Sequence, residues 1–317
     1  MSAAGLKPRL IILAGPTGVG KTDLAVALAL AAGGEIINAD AMQVYRFMDI
    51  GTAKPTTQQR ARVRHHLIDL VDPDEPFNAA LYIERAEPVI EALQRGRKPV
   101  FVVGGTGLYI KALLGGLFAG PRADESLRAS YRDMVSVHGP DYLYEKLKEK
   151  DEKAARQLHP RDTLRIMRAL EVMDISGQSI VEQHRRHEFG ERRYDYLKIG
   201  LTLERPALFE NIGSRCDRMI AQGLVEEVRH LLAMGYAGSL KPMQSLGYRH
   251  IVRYLEGGHD LPAAIAAIKN DTRRYAKRQM TWFGADREVV WFRPDEGEAV
   301  MKTVRSFLSG GGTRCLA

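Results

Sequence analysis

Cysteine is scarce in this sequence of 317 residues, which contains only Cys216 and Cys315. Two cysteines so far apart form neither a disulfide framework nor a zinc-ligand spacing, so no structural zinc is expected. Long apolar runs are also missing. No stretch approaches the roughly 18 residues of a membrane span, and the N-terminal MSAAGLKPRL contains no apolar segment of signal-peptide length. These absences predict a cytoplasmic protein without membrane contact.

The composition that remains is that of an ordinary globular protein, with 45% hydrophobic and 27% charged residues. The length is sufficient for two domains and a sizeable core. The formal net charge of +7 permits a polyanionic partner, but charge alone does not distinguish nucleic-acid binding from solubility. The placement of the basic residues is therefore more informative than their sum.

One motif near the N-terminus predicts a phosphate site. LIILAGPTGVGKTDLA places G-x-x-x-x-G-K-[ST] between a strand-like run and a helix-like run, which is the context that this phosphate-loop pattern requires. Backbone N–H groups, the helix N-terminus and the Lys21 ammonium suit a polyphosphate, and the Thr22 hydroxyl suits magnesium. The alternative is a tight strand-to-helix turn. The predicted binding residues are Gly15, Pro16, Thr17, Gly18, Val19, Gly20, Lys21 and Thr22.

The order of patterns along the chain predicts an α/β fold with an insertion. Apolar runs in RLIILAG, GEIINAD, HHLIDLV and KPVFVVGG alternate with helical stretches, which is typical of a buried parallel sheet. Residues 121–194 instead form charged helical segments. YLKIGLTLE then returns the chain to the sheet, Pro206 begins a helix running to about Met234, and REVVWF resembles a final strand. We predict a P-loop NTPase-like core in 1–120 and 195–317, with a basic C-terminal helical segment, and an inserted helical subdomain in 121–194.

Two other strand ends carry candidate site residues. Asp40 follows EIIN and should lie at the sheet edge that holds the phosphate loop, where it could be a general base, an outer magnesium ligand or only a helix cap. Gln43 and Tyr45 follow it and could contact a base. The strand in VFVVGGTGLY ends in Gly104, Gly105, Thr106 and Gly107, without the acid typical of phosphate-loop ATPases. These glycines could form a flat surface that contacts a ligand, or they could form only a structural turn.

Three basic helical faces favour a nucleic-acid partner. Arg161, Arg165 and Arg168 share a face without paired acids, opposite Leu164, Ile166, Met167, Leu170 and Met173. Solvated arginine is the alternative. A second face combines Asn211, Arg215, Arg218 and Gln222, away from Ile212 and Met219. A third surrounds Tyr275 and precedes Trp282, and consists of Lys269, Arg273, Arg274, Lys277 and Arg278.

The sequence resembles the tRNA dimethylallyltransferases over nearly its whole length. The matching stretches, in order, are GPTGVGKTDLA, NADAMQVY, DIGTAKP, HHLIDLVDP, FNAALY, VVGGTGLYIKALL, RDTLRIMRALE, GLVEEV and QSLGYR. The resemblance implies transfer of a dimethylallyl group from dimethylallyl diphosphate to the exocyclic amine of the adenine just 3′ of the anticodon. No zinc-finger extension is present, which points to the bacterial type of enzyme.

The resemblance also implies individual roles. Asp40 matches the general base, Thr106 a threonine that contacts the reacting nucleotide, and Lys21, Thr22 and Arg215 the groups that hold diphosphate and Mg²⁺. The catalytic set is thus Asp40, Thr106, Lys21 and Arg215. Asn211 occupies a position where the family often has another arginine, and Arg218 could compensate. The implied tRNA contacts are Asp40, Ala41, Met42, Gln43, Thr106, Arg128, Leu164, Arg165, Ile166, Met167, Arg168, Gln244, Ser245, Leu246, Gly247, Tyr248 and Arg249.

Elementary chemistry agrees with this interpretation. An adenine amine is a weak nucleophile, so the allylic C–O bond must ionise while Asp40 accepts the amine proton. The target base should be extruded from its stack. We therefore expect the partners to be the tRNA anticodon stem-loop and dimethylallyl diphosphate, with Mg²⁺ as cofactor and a monomeric enzyme. A P-loop small-molecule kinase, a prenyltransferase acting on free adenine nucleotides and a non-catalytic RNA-binding protein are the alternatives.

Overall fold

The computed structural model describes residues 7–118, 120–187 and 192–310. The chain divides into two compact units, one made of Met1–Leu114 with Arg193–Ala317 and the other of Gly115–Arg192. The sequence placed the insertion at 121–194, so the helical unit begins and ends somewhat earlier than expected. Cys216 is buried in the first unit, and Cys315 lies outside the described residues.

The first unit is built on a parallel β-sheet. Its strands in the described residues are β1 (Arg9–Ala14), β2 (Glu35–Asn38), β3 (His65–His66), β4 (Val100–Gly104), β5 (Asp195–Leu201) and β6 (Val289–Phe292). Their spatial order is β3-β2-β4-β1-β5-β6, and all neighbouring pairs are parallel. β2 and β4 are buried along their whole length, as expected for central strands covered on both faces. The predicted parallel α/β fold is confirmed.

Helices cover this sheet and complete the first unit. They are α1 (Lys21–Ala32), α2 (Thr57–Arg62), α3 (Ala79–Arg95), α4 (Gly107–Gly115), α10 (Arg205–Ala221), α11 (Leu224–Ala233), α12 (Tyr248–Leu255), α13 (Leu261–Gly284) and α14 (Gly297–Leu308). Asp260 caps α13 by accepting the Ala263 N–H at 2.8 Å, and Pro262 occupies its first turn, where proline is tolerated. Its buried residues recur every three or four positions, which presents one face to the core.

Two sequence predictions about elements of this unit are wrong. The helix expected from Pro206 to about Met234 is broken between α10 and α11, because Gly223 adopts a left-handed conformation with φ of 100°. The strand expected in HHLIDLV is limited to His65–His66. Leu67 and Asp69 have φ values of 61° and 56°, which are incompatible with an extended strand.

The second unit is helical and has its own core. Its helices are α5 (Glu125–His138), α6 (Asp141–Lys150), α7 (Glu152–Ala155), α8 (Thr163–Ser176) and α9 (Ile180–His187). Tyr131, Leu143, Leu147, Ile166 and Leu170 form the centre of this core and are at most 1% exposed. The residues of the first unit form a separate cluster. Each unit therefore buries its own apolar side chains.

The predicted helical wheel over residues 161–173 needs three corrections. Arg161 precedes α8, because Asp162 is the N-cap and accepts the Arg165 N–H. Leu164 was expected on the apolar side but is 77% exposed. Arg168 was expected to lack an acidic partner, yet its guanidinium lies 2.5 Å from Glu171. The basic face of α8 is therefore less continuous than the sequence suggested, and one of its arginines is already paired with an acid.

Candidate active site

The phosphate loop connects β1 to α1. Gly18 adopts φ of 83°, and a Cβ there would lie 2.9 Å from the Ile212 side chain, so both the conformation and the space require glycine. Lys21 is the first residue of α1, and its Nζ donates to the carbonyl oxygens of Gly15 at 2.9 Å and Pro16 at 2.7 Å. The loop thus wraps around the ammonium that the sequence assigned to the phosphate.

Burial dominates the electrostatics around Lys21. Removal of its ammonium from water, together with the nearby Arg215, lowers the pKa of Lys21 to about 7, although Asp40 partly opposes this change. Burial likewise lowers the pKa of Arg215, again opposed by Asp40. Two cations and one carboxylate therefore act on one another at the sheet edge. An incoming anion would favour the charged form of both cations.

Asp40 lies at the edge where β2 and β4 end. The register pairs Asn38 with Val103, so residues after both strands meet there. The Asp40 Oδ1 accepts the backbone N–H of Met42 at 2.8 Å and of Gln43 at 3.3 Å. The segment after Asp40 is a turn and not a helix, so the carboxylate stabilises a turn and is not a helix cap. Acceptor capacity remains for a general base because a carboxylate has two oxygens.

Thr106 follows β4 and is hydrogen-bonded to the segment that follows β2. Its Oγ1 accepts the Ala41 N–H at 3.0 Å, and its own N–H donates to the Ala39 carbonyl oxygen at 3.1 Å. The hydroxyl proton of Thr106 remains available to a further acceptor. Thr106 and Asp40 are therefore held by the same short segment, Ala39–Ala41.

The glycines around Thr106 are closely packed against neighbouring protein atoms. A Cβ on Gly104 would overlap the Ala39 backbone, one on Gly105 would overlap the Gln279 amide, and one on Gly107 would overlap the Trp282 ring. Protein atoms fill the space that a Cβ would need at each glycine, which supports the structural-turn alternative, while the ligand surface stays a prediction. Gly104 and Gly105 still line the cavity described next.

One cavity of about 700 Å³ collects most predicted site residues of the first unit. Lys21, Thr22 and Arg215 line it together with Asp40. The predicted RNA-contacting residues among its walls are Ala41, Met42, Gln43, Gln244, Ser245, Leu246, Gly247 and Arg249. Apolar wall is provided by Ala25, Ile36, Cys216, Met219 and Ile268. The cavity therefore combines cations, a carboxylate and an apolar surface.

A second cavity of about 520 Å³ also borders the phosphate loop. Thr22 and Arg215 line both cavities. Asn211, where another arginine was considered, donates its side-chain N–H to the Gly18 carbonyl oxygen at 3.4 Å. Arg218, the residue expected to compensate, lines this second cavity, as does Arg293, which sequence reasoning did not select.

Two predicted RNA-reading aromatic residues are buried. Tyr45 is 3% exposed and Tyr248 is fully buried. The Tyr248 hydroxyl donates to Glu227 at 2.5 Å, and the same carboxylate accepts the backbone N–H groups of Asp49, Ile50 and Gly51 at 2.7–3.1 Å. Tyr248 is therefore packed inside the protein and held by Glu227. Gln43 lines the cavity wall, and its side-chain amide donates to the carbonyl oxygens of Thr52 and Ala53.

Sequence reasoning missed two polar residues of α13 that line the cavity. Asp271 accepts from Arg249, from His250 at 3.1 Å and from Arg274 at 3.1 Å. Gln279 is 6% exposed, and its carboxamide is hydrogen-bonded to Thr17 in the phosphate loop and to Gly105 after β4. The sequence contained a signal for each: Asp271 is the sole acid of a basic helix, and Gln279 is a polar residue within its buried face.

In the helical unit, Glu171 organises two of the predicted RNA-binding arginines. It is fully buried, and Arg128 donates to both of its oxygens at 2.8 and 3.0 Å while Arg168 donates at 2.5 Å. Burial alone would raise the pKa of Glu171, but these hydrogen bonds lower it overall. Ile166 and Met167 are buried in the core of the unit. Arg165 keeps an exposed guanidinium, 3.4 Å from Asp162.

The third basic face is also partly occupied. Lys269 pairs with Asp217 at 2.6 Å and Arg274 with Asp271. Arg278 lies over the Tyr275 ring at 5.7 Å, while Arg273 and Lys277 lie over Phe209.

Among the described residues, no group of three or more His, Cys, Asp or Glu could hold a metal ion. Within the same residues, no helix is both long and apolar enough to cross a membrane.

A phosphate loop beside a carboxylate and an apolar wall defines an α/β enzyme that acts on a polyphosphate compound. Residues 43–286 match the family model described as IPP transferase. The chain is 56% identical, over 96% of its length and 98% of the relative, to tRNA dimethylallyltransferase 2 of Syntrophus aciditrophicus. It resembles the crystal structure of a tRNA isopentenylpyrophosphate transferase from Bacillus halodurans, with 38% identity and a TM-score of 0.72, covering 96% and 98% of the chains.

A second similar structure is a eukaryotic dimethylallyltransferase described as acting on tRNA, with 26% identity, a TM-score of 0.79 and coverage of 97% and 81%. The chain belongs to the IPP transferase family and is a prenyltransferase. The resemblance noted from its motifs is confirmed.

Proposed function

We propose that this enzyme transfers a dimethylallyl group from dimethylallyl diphosphate to the exocyclic amine of the adenine 3′-adjacent to the anticodon in tRNA, releasing diphosphate. The observation that carries the proposal is the single cavity in which Lys21, Thr22 and Arg215 lie with Asp40 and an apolar wall. The relatives named as tRNA dimethylallyltransferases support the acceptor. A monomer in the cytoplasm is the state that we expect for the enzyme.

The cations would act on the leaving group. Cleavage of the allylic C–O bond moves its electron pair onto diphosphate, and the charge that develops there is stabilised by Lys21, Arg215 and the N-terminus of α1. Both cations are partly buried, and charges shielded from water interact more strongly than solvated ones. The apolar wall formed by Met219, Ile268 and their neighbours suits the hydrocarbon chain.

The residues present also fit Mg²⁺. Thr22 brings a hydroxyl and Asp40 a carboxylate to the same cavity, and Mg²⁺ typically binds through one or two protein ligands, substrate phosphates and water. When bound, Mg²⁺ would neutralise part of the diphosphate charge. Thr22 is the residue that would hold the ion, and the Asp40 carboxylate would add a negative charge in the same cavity.

Asp40 would complete the transfer at the acceptor. As the adenine nitrogen bonds to the allylic carbon, its proton passes to the free acceptor capacity of the Asp40 carboxylate. Thr106 can donate its hydroxyl hydrogen to the same nucleotide. The adenine must leave its stack to reach this position, and the 700 Å³ volume accommodates a base beside the prenyl group.

Other residues would hold the RNA around the extruded base. The Ser245 hydroxyl oxygen is buried without a hydrogen-bond partner in the described part of the protein, which suits a polar ligand contact. Asp271 orients Arg249 in the same wall. In the helical unit, Leu164 and Arg165 are the exposed members of the predicted set, and we propose that this unit binds tRNA.

A substrate comparison tests the proposal. Wild-type protein is incubated with labelled dimethylallyl diphosphate and Mg²⁺ plus an anticodon stem-loop, AMP or ATP. We expect label only in the stem-loop, at the adenine that follows the anticodon. Labelling of AMP or ATP in preference to RNA would instead support a free-nucleotide prenyltransferase, and phosphate transfer from ATP to a small acceptor would support a kinase.

A further inference from the structure

Gln279 is a buried polar residue that the chemistry above does not use. It occupies the buried face of α13 with Thr272, Ala276 and Phe283, and only 6% of it is exposed. A buried carboxamide is unfavourable unless its donor and acceptor atoms are hydrogen-bonded. Its contacts therefore indicate why a glutamine lies at this position.

The carboxamide joins the two loops that carry the reactants. Its Oε1 accepts the Thr17 N–H of the phosphate loop at 2.8 Å, and its Nε2 donates to the Gly105 carbonyl oxygen at 2.9 Å. Only one orientation of the amide satisfies both partners, because rotation by half a turn would oppose oxygen to oxygen and N–H to N–H. The bridge is thus specific to an amide and excludes a carboxylate or an apolar isostere.

The surrounding sequence is adapted to this bridge. A Cβ on Gly105 would overlap the Gln279 amide nitrogen, while the backbone conformation of Gly105 is one that other residues can adopt. The Gln279 amide, and not the backbone conformation, is therefore what requires glycine at residue 105. Gly105 precedes Thr106, whose Oγ1 accepts the Ala41 N–H next to Asp40. One side chain therefore connects the phosphate loop to the edge that holds Thr106 and Asp40.

We propose that Gln279 is a positioning residue that fixes the diphosphate site relative to the nucleobase site. This inference rests on the proposed function. Prenyl transfer needs the amine nitrogen close to the allylic carbon and aligned with the breaking C–O bond, and a displacement of about 1 Å can reduce such a rate by about 10²-fold. Gln279 lines the cavity, but both polar ends of its carboxamide are hydrogen-bonded to protein backbone, so its loss reduces the rate of the chemical step and leaves substrate affinities nearly intact.

The test compares Gln279→Met, Gln279→Glu and Gly105→Ala with the control Gln58→Met, which changes an exposed glutamine of α2. Single-turnover prenyl transfer is measured with both substrates saturating, and stem-loop affinity by filter binding. We expect the first three variants to lose about 10- to 100-fold in rate, affinity for RNA to stay within about threefold, and the control to match wild type. A wild-type rate in folded Gln279→Met would overturn the proposal.

A double-mutant cycle separates positioning from general destabilisation. Because Gly105→Ala and Gln279→Met remove the same bridge, the double variant should be no slower than the slower single variant, whereas independent defects would multiply. Multiplied losses would overturn the proposal. The cycle needs only folded protein, which cooperative urea unfolding of each variant establishes.

Hydrogen exchange at the Thr17 amide distinguishes this inference from the proposed function. Exchange should be slow in wild type and faster in Gln279→Met, whatever reaction the enzyme performs. Equal exchange in both proteins would overturn the bridge itself. An inactive wild-type protein would refute the proposed function and the positioning role together, even with Thr17 protected.

Discussion

At the scale of single residues, burial gives Lys21 a chemistry different from that of a surface lysine. Its pKa is lowered to about 7, so above that pH the neutral amine predominates in the free protein. A bound diphosphate favours the ammonium and raises the pKa again. Binding must therefore take up a proton at pH values above the lowered pKa, and none where Lys21 is already charged.

Calorimetry in buffers of different ionisation enthalpy measures this uptake with dimethylallyl diphosphate in the absence of RNA. We expect nearly one proton at about pH 8.5 and almost none at about pH 5.5. Lys21→Ala should show no uptake at the higher pH and much weaker diphosphate binding, with stem-loop affinity within a few-fold of wild type. Uptake that persists in Lys21→Ala would assign the titration to another group.

Asp40 is the residue whose role distinguishes amine prenylation from phosphate transfer. Asp40→Asn keeps the size and the acceptor oxygen that holds the Met42 N–H, but cannot accept a proton. We expect stem-loop binding to survive and the single-turnover rate to fall by about 10²- to 10⁴-fold. The matched control is Asp74→Asn, which makes the same change at an exposed aspartate. A near-normal rate in Asp40→Asn would remove it as the base.

At the scale of elements, the contact between β4 and the end of β2 predicts a strong effect of one methyl group. In Gly104→Ala, the new Cβ would overlap the Ala39 backbone, which cannot rotate away as a side chain can. We expect a loss of about 1–3 kcal/mol in the free energy of unfolding, measured by urea denaturation. Gly213→Ala in α10 is the matched control. It meets no atom within 4 Å and should be neutral or stabilising, because alanine favours helix.

The α8 helix predicts different outcomes for two arginines that the sequence treated alike. Arg168→Ala removes one partner of the fully buried Glu171 and should lower the free energy of unfolding by about 1–3 kcal/mol. Arg165→Ala affects an exposed side chain, so stability should stay within about 0.5 kcal/mol, while the salt slope of RNA binding falls by up to about one. Filter binding over a salt series checks the second result. An unchanged slope would make Arg165 a solvated residue without an RNA contact.

The elements also show which inferences a sequence supports. The phosphate loop follows from a local motif, and the placement of Asp40 near it follows from the rule that parallel strands end at one edge. Arg168 and Glu171 are three residues apart in one helix, so their pairing was available to the sequence and was overlooked. The Gln279 bridge was not predictable, because Thr17 and Gln279 are 262 positions apart and only tertiary packing joins them.

At the scale of the whole molecule, charge is divided unevenly between the two units. Residues 115–192 contain fourteen Lys or Arg and fourteen Asp or Glu, so the formal net charge of +7 belongs entirely to the rest of the chain. Most of the general attraction for a polyanion should therefore reside in the α/β unit. The helical unit would contribute to RNA binding through particular exposed side chains such as Arg165.

Removal of the helical unit tests this division. The Arg193 N–H donates to the Leu114 carbonyl oxygen at 3.4 Å, so the two ends of the α/β unit meet and a short glycine-serine linker can replace 115–192. Each unit has its own hydrophobic cluster, which predicts that the shortened protein unfolds cooperatively and binds dimethylallyl diphosphate within about threefold of wild type. Retained diphosphate binding also serves as the control for folding.

RNA binding is expected to respond differently. The shortened protein should lose at least about tenfold in stem-loop affinity, because contacts from the helical unit are gone, while the salt slope falls by no more than about one or two, because the excess positive charge remains. Filter binding from low to moderate salt measures both quantities. Full affinity in the shortened protein would show that the helical unit does not bind tRNA. A salt slope close to zero would place the electrostatic attraction in 115–192, contrary to its balanced charge.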